Sequence, residues 1–246
     1  MERWEPIWRL GPGGGVYVTP QYSFGVDAML LSQFAAPRGQ TKICELGTGC
    51  GIIPLLWCGG HPWMRRRPLE VTAVEVQSAA AALATRSIAR NGLSEKIRVL
   101  CADWRQLEDK LAAGSFERVV CNPPYFSAGA GKVSEDEARR IARHEESPEA
   151  LQEVCNVAAR LLQNGGTFCL CHLPSRLCDV LTALRAAGLE PKRLQLVQQA
   201  GDATPFLLLC EAKKGGKPGM QTEPTMILRN GDSYTEEARR LYGIRG

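Results

Sequence analysis

The sequence lacks the features of membrane and secreted proteins. Among its 246 residues, no apolar run is long enough to span a bilayer. The N-terminus is short and polar, without the positively charged start and apolar run of a signal peptide. These absences favour a cytoplasmic protein, and the length suits one large α/β domain.

The sequence also lacks a large excess of either positive or negative charge. The chain has 30 Lys and Arg against 26 Asp and Glu, which gives a formal net charge of +4 at pH 7. This balance permits an anionic partner without requiring one. Charge alone therefore does not indicate a nucleic-acid-binding protein.

The ten cysteines lack the spacing of a metal site. No CxxC pair occurs, so the usual zinc-knuckle pattern is missing. Most of them lie in apolar, strand-like runs, where cysteine acts as a small hydrophobic residue: Cys44, Cys101, Cys121, Cys169, Cys171 and Cys210. We expect reduced, structural cysteines and no bound metal.

Strand and helix patterns alternate along the chain. The predicted strands cover 43–46, 69–76, 97–101, 116–121, 167–173, 194–198 and 206–212, and the predicted helices cover 52–57, 78–91, 104–111, 148–163, 175–187 and 235–242. The alternation predicts an α/β fold with a doubly wound, mostly parallel, seven-stranded sheet. The last two strands should form an antiparallel hairpin at one edge, and 7–10 should pair with 16–19 near the N-terminus.

We interpret residues 1–246 as a single domain. Residues 1–40 would hold the N-terminal hairpin and a segment that covers the cofactor, 41–212 the catalytic core, and 213–246 a C-terminal extension. The polar segment 126–146 is predicted to be a long mobile loop, and loops of that length are often active-site lids.

A glycine-rich loop follows the first core strand, where doubly wound sheets bind ligands. Glu45 precedes a G-x-G-x-G pattern formed by Gly47, Gly49 and Gly51, with Thr48 between the first two. The glycines let a ligand approach the backbone, and the following helix directs its first amides at an anionic group. The spacing differs from the G-x-G-x-x-G dinucleotide pattern. An acid at this place suits a ligand that carries an ammonium group, such as S-adenosyl-L-methionine.

Two more acids end the next two strands. Glu75, followed by Val76, can accept both hydroxyls of a ribose. Asp103, followed by Trp104, can accept the amino group of an adenine. Acids at the ends of three successive strands predict an adenosyl ligand.

The fourth strand runs into Asn122, Pro123, Pro124 and Tyr125. An amide or aromatic amine nitrogen is a poor nucleophile because its lone pair is delocalised. The Asn122 side-chain oxygen and the Pro123 carbonyl can each accept one N–H, which directs the lone pair at a methyl group. The prolines preorganise this geometry, and Tyr125 offers a face for a planar target. We predict N-methylation that depends on S-adenosyl-L-methionine, with Asn122 lying between cofactor and target.

These motifs resemble those of the class I methyltransferases with an Asn-Pro-Pro-Tyr motif. The chain is most similar to the "methyltransferase small domain" branch and, within it, to the bacterial valine-tRNA adenine-N6 methyltransferases. The similarity includes 21–31 (QYSFGVDAMLL), 142–145 (ARHE), 161–166 (LLQNGG) and the tail around 234–243. It implies a Rossmann-like fold, Phe24 near the cofactor, and methylation of adenine N6 in RNA, namely the anticodon loop of a valine tRNA.

The resemblance also implies that Arg139, Arg140 and Arg143 face RNA phosphates, although a solvated helix face is an alternative for them. The protein would be a monomer or a homodimer.

Other functions stay open. Glutamine-N5 methylation of a release factor suits the same four residues, but those enzymes resemble one another in carrying a helical N-terminal domain for which the residues before Ile43 are too few. Another RNA base or DNA adenine methyltransferase, a nicotinamide-dependent oxidoreductase and a non-catalytic RNA-binding module are further alternatives. The G-x-G-x-G spacing argues against the oxidoreductase.

Overall fold

The computed structural model describes residues 1–39, 42–59, 70–123 and 148–244. It begins with an antiparallel hairpin of β1 (Arg3–Pro6) and β2 (Gly15–Val18), in which Arg3 lies opposite Val18. The predicted hairpin exists, but its first strand was placed wrongly. Trp8–Leu10 form a 3-10 turn instead, because the Leu10 amide donates to the Ile7 carbonyl at 2.8 Å and turns the chain back.

The large sheet contains all seven core strands. They are β3 (Lys42–Leu46), β4 (Glu70–Glu75), β5 (Ile97–Cys101), β6 (Phe116–Cys121), β7 (Leu162–His172), β8 (Leu189–Gln198) and β9 (Leu207–Lys214). Their spatial order is β5-β4-β3-β6-β7-β9-β8, and only β9 runs antiparallel to its neighbours in this set. The predicted doubly wound α/β fold is confirmed.

The predicted antiparallel hairpin at one edge of the core sheet is confirmed. It consists of β8 and β9, in which β9 pairs with β7 and β8 is the outer of the two strands. Two short strands, β10 (Gln221–Thr222) and β11 (Met226–Ile227), pair in parallel with β8 on its other side. The β12 (Arg229–Asn230) and β13 (Ser233–Tyr234) strands form a separate small hairpin.

Helices cover both faces of the sheet. They are α1 (Val26–Phe34), α2 (Ile52–Cys58), α3 (Ser78–Arg90), α4 (Pro148–Leu161), α5 (Leu177–Ala186) and α6 (Glu236–Tyr242). Along β6, Val119 packs with the cluster that includes α4 and α5, and Val120 with the cluster that includes α1 and α2. This alternation follows from the period of two in a strand. None of the helices in the described ranges is long and apolar enough to cross a membrane.

The predicted helix over 104–111 does not form, and the segment is a series of turns. The Asp103 carboxylate accepts the Arg105 amide at 2.9 Å. Such a side-chain bond to the backbone two residues on competes with helix formation. Leu107 and Leu111 are buried, so the segment is held by packing rather than by helical periodicity.

A buried ionic network fixes the end of α1 to the sheet. The side chain of Arg118 is 2% exposed and lies 3.1 Å from the Glu211 carboxylate. It also donates to the Ala35 carbonyl at 2.7 Å, while Arg193 donates to the Phe34 carbonyl at 2.5 Å. These bonds satisfy free carbonyls at the end of α1, and buried charges of this kind are strongly destabilising when one partner is removed. The helix is thereby anchored at the end opposite the candidate site.

The two terminal regions contact each other. The Trp8 indole donates to the Tyr242 carbonyl at 3.0 Å. Gly243, which ends α6, has a φ of 69°, and a Cβ added there would overlap the Trp8 ring. Glycine at 243 therefore serves both the left-handed backbone and the close approach to Trp8.

Candidate active site

The candidate site lies where three neighbouring parallel strands end. Leu46 of β3 pairs with Cys121 of β6, and Cys121 pairs with Leu170 of β7. The residues at the next position on each strand, Gly47, Asn122 and Cys171, therefore lie side by side at the carboxyl edge of the sheet. In open α/β sheets this edge is where ligands bind.

The glycine loop after β3 has a conformation that requires glycine. Gly47 has a φ of 72° and Gly49 a φ of 56°, a region that side chains disfavour. The amides of Gly47 and Thr48 both donate to the Val74 carbonyl, at 2.9 and 3.0 Å. Gly51 has a φ of 83°, and its added Cβ would lie 3.2 Å from that of Ala84 in α3. The loop is thus tied to β4 and α3 and leaves its outer surface open for a ligand.

Glu45 is a buried carboxyl in this loop region, with 1% of its surface exposed. Burial raises its pKa to about 8, a hydrogen bond from the Thr48 hydroxyl opposes the rise, and the nearby Glu75 carboxylate adds to it. Within the described ranges it has no cationic side-chain partner. A buried, unpaired carboxyl facing a cavity suits a cationic ligand group.

Glu75 holds the glycine loop. One of its carboxylate oxygens accepts the Gly49 amide at 2.8 Å and the other accepts the Gln77 amide at 2.9 Å. Each oxygen keeps a further lone pair, so the carboxylate can still accept ribose hydroxyls. Val76, the next residue, is 54% exposed.

Asp103 lies two residues after the end of β5, the strand that pairs with the strand of Glu75. Glu75 pairs with Cys101, and the Ala102 amide donates to the Glu75 carbonyl at 2.9 Å. The Asp103 side chain is 32% exposed and accepts the Arg105 amide. Trp104 is partly buried, with the Arg105 guanidinium 5.2 Å from its ring centroid.

A cavity of about 210 Å³ joins several of the predicted residues. It brings Phe24, from the segment before α1, together with Glu45, the first part of the glycine loop, Asn122 and Pro123. Glu75, Val76, Asp103, Trp104 and Gly51 do not line it.

Asn122 is held by Asp27 and Cys171, neither of which the sequence patterns assign to the site. Its Nδ2 donates to Asp27 Oδ2 at 3.2 Å, and the Cys171 thiol lies 2.9 Å from its Oδ1. The position of Cys171 follows from strand pairing, because parallel strands end at one edge. Asp27 is 95 residues away in sequence, and no local pattern indicates its contact with Asn122.

The remaining predicted site residues lie outside the described ranges. They are Pro124 and Tyr125 of the catalytic motif and Arg139, Arg140 and Arg143 of the predicted RNA-binding surface. His172, next to Cys171, is described and buried; burial and the nearby Arg176 lower its pKa to about 4, so its imidazole is neutral at pH 7. Across the described ranges no group of three or more His, Cys, Asp or Glu residues is placed to hold a metal ion.

The described residues fit S-adenosyl-L-methionine. The unpaired Glu45 carboxyl suits its ammonium group, and the open backbone of the glycine loop leaves room for a ligand, since a Cβ at Gly47 or Gly49 would meet no atom within 4 Å. Glu75 ends β4, and Asp103 lies two residues after the end of β5, so both carboxylates lie near the carboxyl edge of the sheet. The fit supports the predicted cofactor site.

The chain is similar in sequence to known methyltransferases. The sequence model of the methyltransferase small domain family matches residues 13–175. A Tolumonas auensis protein named tRNA1(Val) (adenine(37)-N6)-methyltransferase is 31% identical over 218 residues, which cover 87% of this chain and 85% of that protein. A Bacteroides fragilis protein of the same name is 29% identical over 222 residues, covering 89% and 90%.

A solved structure shares the fold. The crystal structure of a protein from Agrobacterium tumefaciens, described as a predicted O-methyltransferase, matches with a TM-score of 0.68 and 22% identity. The match covers 88% of this chain and 95% of that one. At this identity the likeness concerns the fold alone.

Proposed function

Since the chain belongs to the methyltransferase small domain family and is a methyltransferase that uses S-adenosyl-L-methionine, we propose that it methylates adenine N6 in a tRNA. The proposed target is the anticodon loop of a valine tRNA, at the position that corresponds to adenine 37. With a tRNA as substrate, the proposed location is the cytoplasm.

The observation that carries the proposal is the position of Asn122. It lies at the carboxyl end of β6, beside the glycine loop, and lines the same cavity as Glu45 and Gly49. An amide oxygen at this place can accept a hydrogen bond from an amine brought to the cofactor cavity. Neither a dehydrogenase nor a simple RNA-binding module requires that arrangement.

The residues that we propose for cofactor binding hold different parts of the molecule. Glu45 accepts the ammonium group, Gly47 and Gly49 let the backbone approach, and Glu75 and Asp103 accept hydroxyl and amino groups. Thr48 supports Glu45, and Phe24 lines the same cavity. For Gly51, Val76 and Trp104, which lie outside that cavity, we propose contacts with the adenosyl part of the cofactor. S-Adenosyl-L-methionine supplies the electrophilic methyl group.

The Asn122 side chain acts on the target amine. Its Oδ1 accepts one N–H, and the Pro123 carbonyl accepts the other. Two acceptors on one NH₂ favour a pyramidal nitrogen whose lone pair points towards the cofactor cavity, so the rate gain comes from orientation. For Pro124 and Tyr125, which lie outside the described residues, the proposed roles are to fix the backbone and to stack on the base. The amine proton leaves after transfer, from a nitrogen that is then acidic, so a strong general base is not needed.

The substrate part of the proposal rests on the relatives. Both are named for adenine 37 of tRNA1(Val), and both align over more than four fifths of their length. An adenine in an anticodon loop is already partly unstacked, which lowers the free energy of moving it into a pocket. We propose that Arg139, Arg140 and Arg143 bind RNA phosphates, which would make affinity fall with salt.

The test is an assay with the purified protein, S-adenosyl-L-methionine and a valine tRNA transcript, followed by nucleoside mass spectrometry. We expect N6-methyladenosine, and none when the target adenine is replaced by guanine. Total tRNA from a strain without the gene should lack the same modification.

The outcome that contradicts the proposal is also specific. If N6-methyladenosine in tRNA is unchanged in the deletion strain and methylglutamine disappears from a release factor, the protein is a glutamine-N5 methyltransferase. The same Asn122 geometry suits a carboxamide, so this result would change the substrate and keep the site.

A further inference from the structure

We propose that Asp27 and Cys171 lock the side-chain amide of Asn122 in one orientation, so that its Oδ1 rather than its Nδ2 is presented to the target amine. Asp27 would then be a positioning residue that selects a hydrogen-bond donor as substrate. This inference rests on the proposed role of Asn122 and extends it.

An asparagine side chain has two orientations of nearly equal shape. Rotating the amide by half a turn exchanges the oxygen, an acceptor, with the NH₂ group, a donor. With Nδ2 outward, Asn122 would place a donor against an amine, which is also a donor. Only the hydrogen-bonding neighbours distinguish the two orientations.

The two neighbours of Asn122 have opposite hydrogen-bonding roles, since one is an acceptor and the other a donor. Asp27 lies 3.2 Å from Nδ2 and, as a carboxylate, can only accept a hydrogen bond. The Cys171 thiol lies 2.9 Å from Oδ1 and can donate to it. Rotating the amide would set the Asn122 oxygen against a carboxylate and its NH₂ group against the thiol hydrogen. Oδ1 keeps one lone pair for the substrate.

The backbone around Asp27 supports this arrangement. Asp27 is in the first turn of α1, and the other end of that helix is bonded to Arg118 and Arg193. A Cβ added to Gly25 would clash with Asp27 Oδ1, so glycine at 25 leaves space for the carboxylate. The helix is thus fixed at both ends relative to the sheet that carries Asn122.

The first experiment needs no RNA substrate. Selective ¹⁵N-asparagine labelling shows the Asn122 NH₂ group by NMR, and its signal is assigned by its loss in Asn122→Ala. We expect slow hydrogen exchange for this group in the wild type, about tenfold or more faster exchange in Asp27→Asn, and no change in Asp232→Asn, a matched charge change in the exposed β12–β13 turn. Equal hydrogen-exchange rates of the Asn122 NH₂ group in wild type and Asp27→Asn would contradict the proposal that Asp27 fixes its orientation.

The second experiment measures methyl transfer. Asp27→Asn should lower kcat about 10- to 100-fold, the range for losing a charged hydrogen bond, with a much smaller change in KM for S-adenosyl-L-methionine. Cys171→Ser, which keeps a donor, should retain more activity than Cys171→Ala. In an Asn122→Ala background Asp27→Asn should cause no further loss, and additive losses would show that Asp27 does not act through Asn122.

A comparison of RNA affinities distinguishes loss of the Asn122 amide orientation from general damage to the site. Wild type should bind RNA with adenine at the target more tightly than RNA with hypoxanthine, which carries an acceptor in place of the amine. Asp27→Asn should narrow this preference. If the wild type methylates no RNA, the proposed substrate is wrong, and the exchange experiment alone decides the lock.

Discussion

The Glu75 carboxylate accepts the backbone amide of Gly49 at 2.8 Å. The residue predicted to bind a ribose is therefore also a support of the loop predicted to bind the rest of the cofactor. Its second oxygen accepts the Gln77 amide at the start of α3. One side chain thus links the ends of β3 and β4, and its loss should affect the whole adenosyl site.

Replacing Glu75 should weaken cofactor binding. Glu75→Ala removes a charged acceptor from two amides, and we expect an affinity for S-adenosylhomocysteine about 10- to 100-fold lower by calorimetry. Glu70→Gln, at the other and exposed end of β4, is the matched control and should bind like the wild type. Unchanged affinity in Glu75→Ala would contradict its assignment to the cofactor site.

Replacing Asn122 should separate chemistry from binding. Asn122→Ala should lower kcat about 10²- to 10³-fold or more, as for loss of a preorganised hydrogen-bonding group, while S-adenosylhomocysteine affinity stays nearly intact. Asn156→Ala, which removes an exposed asparagine from α4, should leave both unchanged. Equal turnover by Asn122→Ala and the wild type would rule out its catalytic role.

Cofactor binding should depend on pH through Glu45. Its pKa of about 8 in the free protein means that the carboxyl is mostly protonated at pH 7 and must ionise to hold an ammonium group. Affinity should therefore rise with pH up to about pH 8, by at most about tenfold per unit. Calorimetry from pH 6 to 9 should show proton release on binding, and Glu45→Gln should remove this dependence.

The raised pKa of Glu45 also predicts how the stability of the cofactor-free protein depends on pH. Between pH 4.5 and 8 the folded state keeps a proton that the unfolded chain has lost, so this carboxyl lowers the free energy of unfolding as pH rises. Glu45→Gln should raise Tm at pH 8 without cofactor, by about 2–4 °C for each kcal/mol gained. A lower Tm in that variant would show that the buried carboxyl has a stabilising partner.

A side chain at position 243 should destabilise the folded protein. Gly243→Ala would overlap the Trp8 ring, and overpacking of this kind typically costs about 1–3 kcal/mol beyond the strain of a left-handed residue. Gly231, with a φ of 58° and open space around it, gives the matched control, because Gly231→Ala brings the strain alone. Thermal unfolding should show a larger loss for Gly243→Ala, and equal losses would mean that Trp8 moves freely.

Local patterns in the sequence predicted much of the fold and part of the site. The glycine loop, the acids at the ends of β4 and β5, and Asn122 after β6 all follow from strand ends and turn chemistry. The contact of Asp27 with Asn122 could not be predicted in this way, because it depends on how α1 packs across 95 residues of sequence. The segment 104–111 was misassigned because its apolar residues have helical spacing, whereas Asp103 starts a turn.

The position of β9 sets an order for assembly during synthesis. β8 pairs with β9, β10 and β11, all of which follow it in the chain, and it makes no pair with β7. A nascent chain whose residues up to Gln198 have left the ribosome contains β3 to β7, and with them both Asn122 and the glycine loop. Its β8 segment must wait for residues 207–214 before it has any neighbour in the sheet. In the order of synthesis, the strands beside the candidate site therefore come first and the strands of the outer edge come last.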